Sequence, residues 1–214
     1  MEAVERMRRP LDEDDLKRMR LPERYWTAQI GNIQADVMGT NLSLQELVRK
    51  YLSKLDEVFD KGYGLALVGD NGLGKTGAAA CIAMEARRQM YSVLFLEAAC
   101  IRAAVIERTP FDQHVTLMER ARDVDFLIID DLGKGTNDSK GFLQSALDEL
   151  IRARSARLAV TIITTNMTPK RLIETGELKK STAAQLSEAA MVVQLKGSDL
   201  RKANAEEIVR TVLT

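Results

Sequence analysis

The sequence predicts an α/β protein: a five-stranded parallel sheet with helices on both faces, a short N-terminal helical extension and no large C-terminal lid. Three observations predict it. From Gly64 onward short apolar runs alternate with longer helical patterns, a glycine-rich loop separates the first run from an alanine-rich helix, and the third run ends in two consecutive carboxylates.

Taken in order, residues 1–42 mix opposite charges without periodicity and read as a short helix and an extended arm, a segment that could engage a partner. Residues 43–214 read as the main domain. Its first strong element opens at Ser43, where SLQE spaces a hydroxyl and a glutamate as a capping box, each satisfying a free backbone N–H. Leu44, Leu47, Val48, Tyr51, Leu52, Leu55, Val58 and Phe59 follow at helical spacing and form one continuous apolar face. The strands then read GLALVG, SVLFLE, DFLIID, LAVTIITT and MVVQL, with helical stretches near 75–90, 98–121 and 140–154 between them. Thr168 and Pro169 suit an N-cap and first helical position, and Gly176 ends that helix. Asn204 with Glu207 caps a final helix.

Composition narrows the function classes. The 214 residues carry 31 basic and 31 acidic side chains, which excludes a partner held by bulk charge alone. At 45% hydrophobic and 29% charged residues, wholesale disorder and a membrane protein are both disfavoured. No apolar run reaches the roughly 20 residues of a spanning helix, and the charged N-terminus lacks the apolar core of a secretory signal. A cytoplasmic location is expected. Cys81 and Cys100 are 19 apart and His114 is the only histidine, so neither a zinc site nor a disulfide framework is expected; the cysteines read as small buried hydrophobes.

The most specific chemical signal is GDNGLGKT, comprising Gly69, Asp70, Asn71, Gly72, Leu73, Gly74, Lys75 and Thr76, with Gly77 following. It matches GxxxxGK[ST] between strand and helix, the setting in which backbone N–H groups and a helix N-terminus surround phosphates. Lys75 is placed to reach the β- and γ-phosphates, and the Thr76 hydroxyl to ligate Mg²⁺. An ordinary glycine turn is the alternative. The second signal, FLIIDD, delivers Asp130 and Asp131 at the C-terminal edge of a strand, where open parallel sheets bind ligands. Asp130 is the expected Mg²⁺ acid, acting through the ion's water shell, and Asp131 is placed to orient or deprotonate a water; alternatively both merely solvate the strand end. The third, IITTN, ends in Asn166, an amide able to bond both a γ-phosphate oxygen and an attacking water, or else a simple turn residue.

These motifs, in this order, resemble the P-loop ATPases of the AAA+ type. The segments LPERYW, GDNGLGKT, VDFLIIDDLG, TIITTNM and VVQLKGSDLR resemble the DnaC/IstB family in particular, over roughly residues 20–202. The resemblance implies ATP and Mg²⁺ as ligands, and a role in loading or remodelling a replicative DNA helicase on single-stranded DNA. It further implies a homo-oligomer assembled on ATP or DNA. Lys75, Thr76, Asp130, Asp131 and Asn166 match the family's phosphate, metal, acidic and sensor positions, and Arg201 matches an arginine that senses the γ-phosphate, unless it is only a solvated base. One departure stands out. Where the family usually has an arginine that reaches a neighbouring subunit's ATP site, this chain reads STAAQLSEAA, with Gln185 in that place. An amide cannot neutralise developing phosphate charge, so weak hydrolysis is expected, with Lys179, Lys180 or Arg171 as substitutes. The frequent N-terminal cysteine cluster of the family is also missing.

Lesser features remain open. Tyr25 and Trp26 either pack on the domain or touch adenine or a partner. Arg102, Arg108, His114, Arg120, Arg122, Lys134 and Lys140 either line a DNA path or are solvated, and only Phe111 offers an aromatic near them. Besides helicase loading, a transposase helper, a small-molecule phosphotransferase and a nonhydrolysing assembly scaffold use the same motifs.

Overall fold

The computed structural model describes residues 8–106, 113–133 and 141–199. Its elements are α1 (Glu13–Arg18), β1 (Asp36–Val37), α2 (Leu44–Leu52), α3 (Leu55–Lys61), β2 (Gly64–Val68), α4 (Lys75–Arg88), β3 (Val93–Glu97), α5 (Ala98–Ile106), α6 (Gln113–Asp123), β4 (Phe126–Leu132), α7 (Phe142–Ala156), β5 (Val160–Thr165), α8 (Pro169–Glu174), α9 (Lys180–Ala189) and β6 (Ala190–Lys196). The sheet has six strands in the order β1-β6-β2-β5-β4-β3. Strands β2 to β6 pair in parallel. The expected count of five is therefore corrected to six, and the sheet is mixed. The extra strand, β1, is two residues long and pairs antiparallel with the end of β6, Asp36 opposite Lys196. So short a strand carries no alternation of its own; packing of Ala35 and Val37 into the core brings it to β6.

The capping box at Ser43 forms, the Ser43 hydroxyl accepting from Glu46 N–H at 3.2 Å and Glu46 accepting from Ser43 N–H at 2.8 Å. The apolar face behind it spans two helices rather than one. Ser53 ends α2, its hydroxyl donating back to the Lys50 carbonyl at 2.9 Å, and Lys54 takes non-helical dihedrals before α3 begins. Such local side-chain bonds compete with helix continuation. Likewise the helical stretch 98–121 is two helices, α5 and α6. Thr168 caps α8 as expected, accepting from Arg171 N–H at 3.3 Å with Pro169 in the first turn.

Each face of the sheet has its own apolar cluster. One joins α2, α3 and α4 to Leu65, Leu67, Phe95, Phe126, Ile128 and Ile162, and takes in Leu16, Met19, Leu21 and Ile33 from the N-terminal segment. The other joins α5 to α9 with Leu94, Leu96, Leu127, Ile129 and Ile163. The even and odd positions of β4 serve opposite clusters, as a strand buried on both faces requires. Cys81 is buried, which pushes its thiol up to about 11.

Two buried ionic groups brace this frame. Asp15 accepts from Arg87 Nε at 3.0 Å and from Arg9, tying α1 to the end of α4. Arg154 of α7 is 0% exposed and has no carboxylate within ion-pair distance among the described residues; it donates to the carbonyls of Ala121 (2.7 Å), Val124 (2.8 Å) and Val160 (2.6 Å) and to the Thr161 hydroxyl (3.0 Å). It thereby satisfies the carbonyl end of α6 and locks it to the starts of β4 and β5.

Candidate active site

The strand order sets the site. β5 lies between β2, which leads into the glycine-rich loop, and β4, which ends in the acidic pair, so the hydroxyls and amide at the end of β5 sit between loop and carboxylates. The loop is tied to β5 at its first residue, Gly69 N–H donating to the Thr165 carbonyl at 3.2 Å. Leu73 anchors its middle in the core, while Asp70 and Asn71 are exposed. Gly74 takes a left-handed conformation (φ +79°) as the N-cap of α4, which begins with Lys75, Thr76 and Gly77. At Gly72 a glycine is required twice over: φ is +82°, and a Cβ would lie 1.7 Å from the Asp199 carboxylate, so the GSD segment after β6 rests directly on the loop. The Lys75 ammonium is buried and donates to the carbonyls of Gly69 and Asp70, each at 2.7 Å.

Across β5, Asp130 is 3% exposed. Burial pushes its carboxyl above the ordinary carboxylate range; hydrogen bonds from the Thr164 and Thr76 hydroxyls pull the other way, and the charges of Asp131 and Glu97 add to the rise. The Thr164 hydroxyl donates to Asp130 at 2.5 Å and accepts from Asp131 N–H at 2.9 Å. A bulge between Ile129 and Leu132 places Asp131 at φ +62°, a left-handed conformation that aspartate tolerates, and leaves it half-buried where Asp130 is buried. The Thr165 hydroxyl donates to the Leu132 carbonyl at 2.6 Å, clamping β5 to the far side of that bulge. Thr164 and Thr165 are the site residues that motif reading passes over. Their signal is the pair of hydroxyls directly before the amide in IITTN. Asn166 follows them with its Oδ1 buried and without a hydrogen-bond partner among the described residues.

Thus Lys75, Thr76, Asp130, Asp131 and Asn166 come from three neighbouring strand ends, and the Thr76 hydroxyl faces Asp130 closely enough to pull its carboxyl down. Arg201, Arg108, Phe111, Lys134 and Lys140 lie outside the described residues, as does the cap expected at Asn204. Gln185 is in α9, its Oε1 buried and without a hydrogen-bond partner among the described residues. Of the three substitutes for an arginine there, Lys179 is 3.6 Å from Asp148, while Lys180 and Arg171 are exposed. Tyr25 and Trp26 are half-buried against the core cluster, Trp26 Nε1 donating to the Leu21 carbonyl at 2.8 Å.

The donor set fits a magnesium–nucleotide pair. Among the described residues no group of three or more histidine, cysteine or acidic side chains forms a metal cage; one hydroxyl and one uncompensated carboxylate beside a phosphate loop is the sparse protein set that Mg²⁺ uses when phosphate oxygens and waters complete its shell.

The sequence matches the family described as IstB-like ATP binding protein over residues 23–207. The chain belongs to that family. Its IstB/DnaC-like ATP-binding domain is similar in fold to the crystal structure of the DnaC helicase loader, at 21% identity over 82% of this chain and 100% of that one, with a TM-score of 0.66. DnaI gives a TM-score of 0.67 at 18% identity, over 83% of this chain and 96% of that one. The replication initiator DnaA bound to AMPPCP and single-stranded DNA gives 0.65 at 17% identity, over 89% of this chain but only 56% of the initiator's. No curated protein matches the chain. Among the described residues, no helix of this family member is long and apolar enough to cross a membrane.

Proposed function

We propose that this protein is a slow, Mg²⁺-dependent ATPase that loads or remodels a replicative DNA helicase on single-stranded DNA, ATP binding acting as the switch. The observation that carries the ATPase reading is the buried Asp130 carboxylate, bonded by Thr164 and faced by the Thr76 hydroxyl, at the strand ends that also present the phosphate loop with its buried Lys75 ammonium. Lys75 would leave the carbonyls of Gly69 and Asp70 for β- and γ-phosphate oxygens, and N–H groups of the loop from Gly69 to Gly77 would bind the same phosphates. The Thr76 hydroxyl and the Asp130 carboxylate would hold Mg²⁺, which would supply positive charge to the phosphate oxygens. Asp131 orients the attacking water and accepts its proton, Asn166 supplies an amide donor to the γ-phosphate, and Arg201 serves as a second sensor. Gln185 leaves the site without the guanidinium that contributes about 10³- to 10⁵-fold in finger-bearing enzymes, which makes hydrolysis slow. Residues 43–214 form the ATPase domain, 1–42 a preceding segment for a partner, and the assembly is a homo-oligomer on ATP or DNA.

Helicase loading is supported by the likeness in fold to the DnaC loader and to DnaI. The family description favours a second reading, an ATP-dependent transposase helper. Two experiments test these. ATP binding and phosphate release are measured with and without Lys75→Ala; loss of both is expected, and binding that survives the substitution would refute the site. Size-exclusion of the ATP-bound protein with the cognate replicative helicase, and separately with a cognate transposase, distinguishes the partners: co-elution with the helicase is expected, and co-elution with the transposase alone replaces the first reading with the second.

A further inference from the structure

The fold joins two features that stand apart in the sequence: the basic stretch after residue 98, which has little aromatic company, and the N-terminal arm, which has Tyr25 and Trp26. The Arg120 guanidinium, near the end of α6, donates to the Arg18 carbonyl at the end of α1. At the next residue the Met19 carbonyl accepts from Phe95 N–H of β3 at 2.7 Å, so the arm runs beside β3 and against α6. Arg18, Arg20 and Arg120 are all exposed. Partial burial and then the nearby charge of Arg20 make the Arg120 cation harder to hold than an ordinary arginine.

Several arginines on α6 and α7 have carboxylates: Arg122 with Glu149 at 3.2 Å, Arg152 with Asp148 at 3.3 Å, Arg157 with Asp123 at 2.8 Å. Among the described residues, none lies within ion-pair distance of Arg18, Arg20 or Arg120. In a chain with 31 basic and 31 acidic side chains, exposed arginines without carboxylates on one arm, next to Arg120 on the helix it packs against, mark a place where negative charge is supplied from outside. A few residues further along, the same arm holds two half-buried rings, Tyr25 and Trp26. The Arg24 guanidinium stands 4.9 Å from the Tyr25 ring centroid and Lys17 Nζ 5.9 Å from that of Trp26. Guanidiniums for phosphates next to anchored aromatic rings for bases is the combination that takes a single strand; a duplex keeps its base faces stacked and out of reach.

We propose that Arg18, Arg20 and Arg120 bind the phosphates of single-stranded nucleic acid, with Tyr25 and Trp26 flanking the strand. This rests on the nucleic-acid part of the function proposed above and names the surface responsible. Trp26 is the only tryptophan, so its emission reports occupancy of this surface directly. The full chain, with and without ATP, is titrated with a short oligothymidylate while Trp26 fluorescence and the anisotropy of a labelled oligonucleotide are followed. Wild type is expected to shift Trp26 emission on binding. Arg18→Glu/Arg20→Glu is expected to weaken binding about tenfold or more and to reduce the slope of log affinity against log salt by roughly one to two. Arg20→Glu alone is expected to weaken it severalfold, without touching the Arg120–Arg18 hydrogen bond. Arg152→Glu changes net charge as Arg20→Glu does and is expected to bind like wild type; melting curves and ATP binding check that each variant folds. If wild type binds and the double variant binds equally well, or if Arg152→Glu is as damaging as Arg20→Glu, this surface is refuted while the nucleic-acid reading stands. Preference for duplex through the same arginines also refutes it, as does loss of helicase association with no oligonucleotide binding by wild type. Wild type that binds neither single strand nor duplex in ATP overturns both readings.

Discussion

Asp15 and Asp130 are each 3% exposed, yet the protein holds one well below the ordinary carboxylate range and the other above it. Burial pushes both up. At Asp15, hydrogen bonds from Arg9 and Arg87, and one from the Asp12 backbone, overcome that and bring the carboxyl down to about 2. At Asp130 the described residues offer the hydroxyls of Thr164 and Thr76 and add the like charges of Asp131 and Glu97. The difference lies in where the countercharge comes from. Asp15 is neutralised within the fold and serves as a brace; Asp130 has no cation within ion-pair distance among the described residues, the setting that the proposed Mg²⁺ acid would need. Arg154 is a third case, a buried cation satisfied by backbone carbonyls in place of a carboxylate, and burial together with the charge of Arg157 brings it down to about 9.

This contrast can be broken at several points. The largest effect is expected at Arg154: Arg154→Met leaves the carbonyls of Ala121, Val124 and Val160 buried without a donor, and urea denaturation should show a loss of about 3–5 kcal/mol. A loss under about 1 kcal/mol would mean that those carbonyls find other donors. Asp130→Asn should lower steady-state phosphate release by about 10²-fold or more while leaving the melting temperature of the nucleotide-free protein unchanged or raised, because the amide still accepts from both hydroxyls and removes a desolvated charge. Destabilisation instead would make Asp130 a brace like Asp15. The converse substitution, Asp15→Asn, should cost about 2 kcal/mol of stability with phosphate release per folded molecule unchanged. The smallest effect is in acid. Because Asp15 sits at about 2 in the folded chain against an ordinary 3.8, its contribution is complete above 3.8 and is lost as pH falls from there toward 2. Acid unfolding followed by circular dichroism should therefore lose part of its steepness in that window in Asp15→Asn, and an identical profile would show that the pairs with Arg9 and Arg87 do not persist in solution.

How much of this was legible in the sequence depends on distance along the chain. GDNGLGKT, FLIIDD and the capping box at Ser43 are local, spelled within a few residues, and their geometry follows. The parallel strands β2 to β5 were legible for the same reason, each being a run of apolar residues buried on both faces, and β6 through the apolar run MVV, although Met191 and Val192 are exposed there. Thr164 was written in plain view, but its importance is spatial: only with β5 between β2 and β4 does a hydroxyl at that position reach Asp130, 34 residues away. Asp15 and Arg87 are 72 apart, and in sequence each looks like an ordinary solvated charge. The same holds for Arg154, whose partners are carbonyls that no residue name reveals. The helix break at Ser53 and Lys54 was hidden by an apolar pattern that continues through it, since the period records which face is buried and says nothing about whether the backbone is unbroken.

The first 37 residues also bear on how the molecule keeps to itself. Of the five parallel strands, β6 and β3 are the outer ones, and each would offer unpaired N–H and C=O groups to any passing chain. The N-terminal segment shields both: β1 pairs along the end of β6, and Met19 takes the N–H of Phe95 on β3. A version trimmed to begin at Ser43 would keep the phosphate loop, Asp130 and Asp131 and yet bare both flanks of its sheet, so its foreseeable fate is strand addition and precipitation rather than a smaller stable domain.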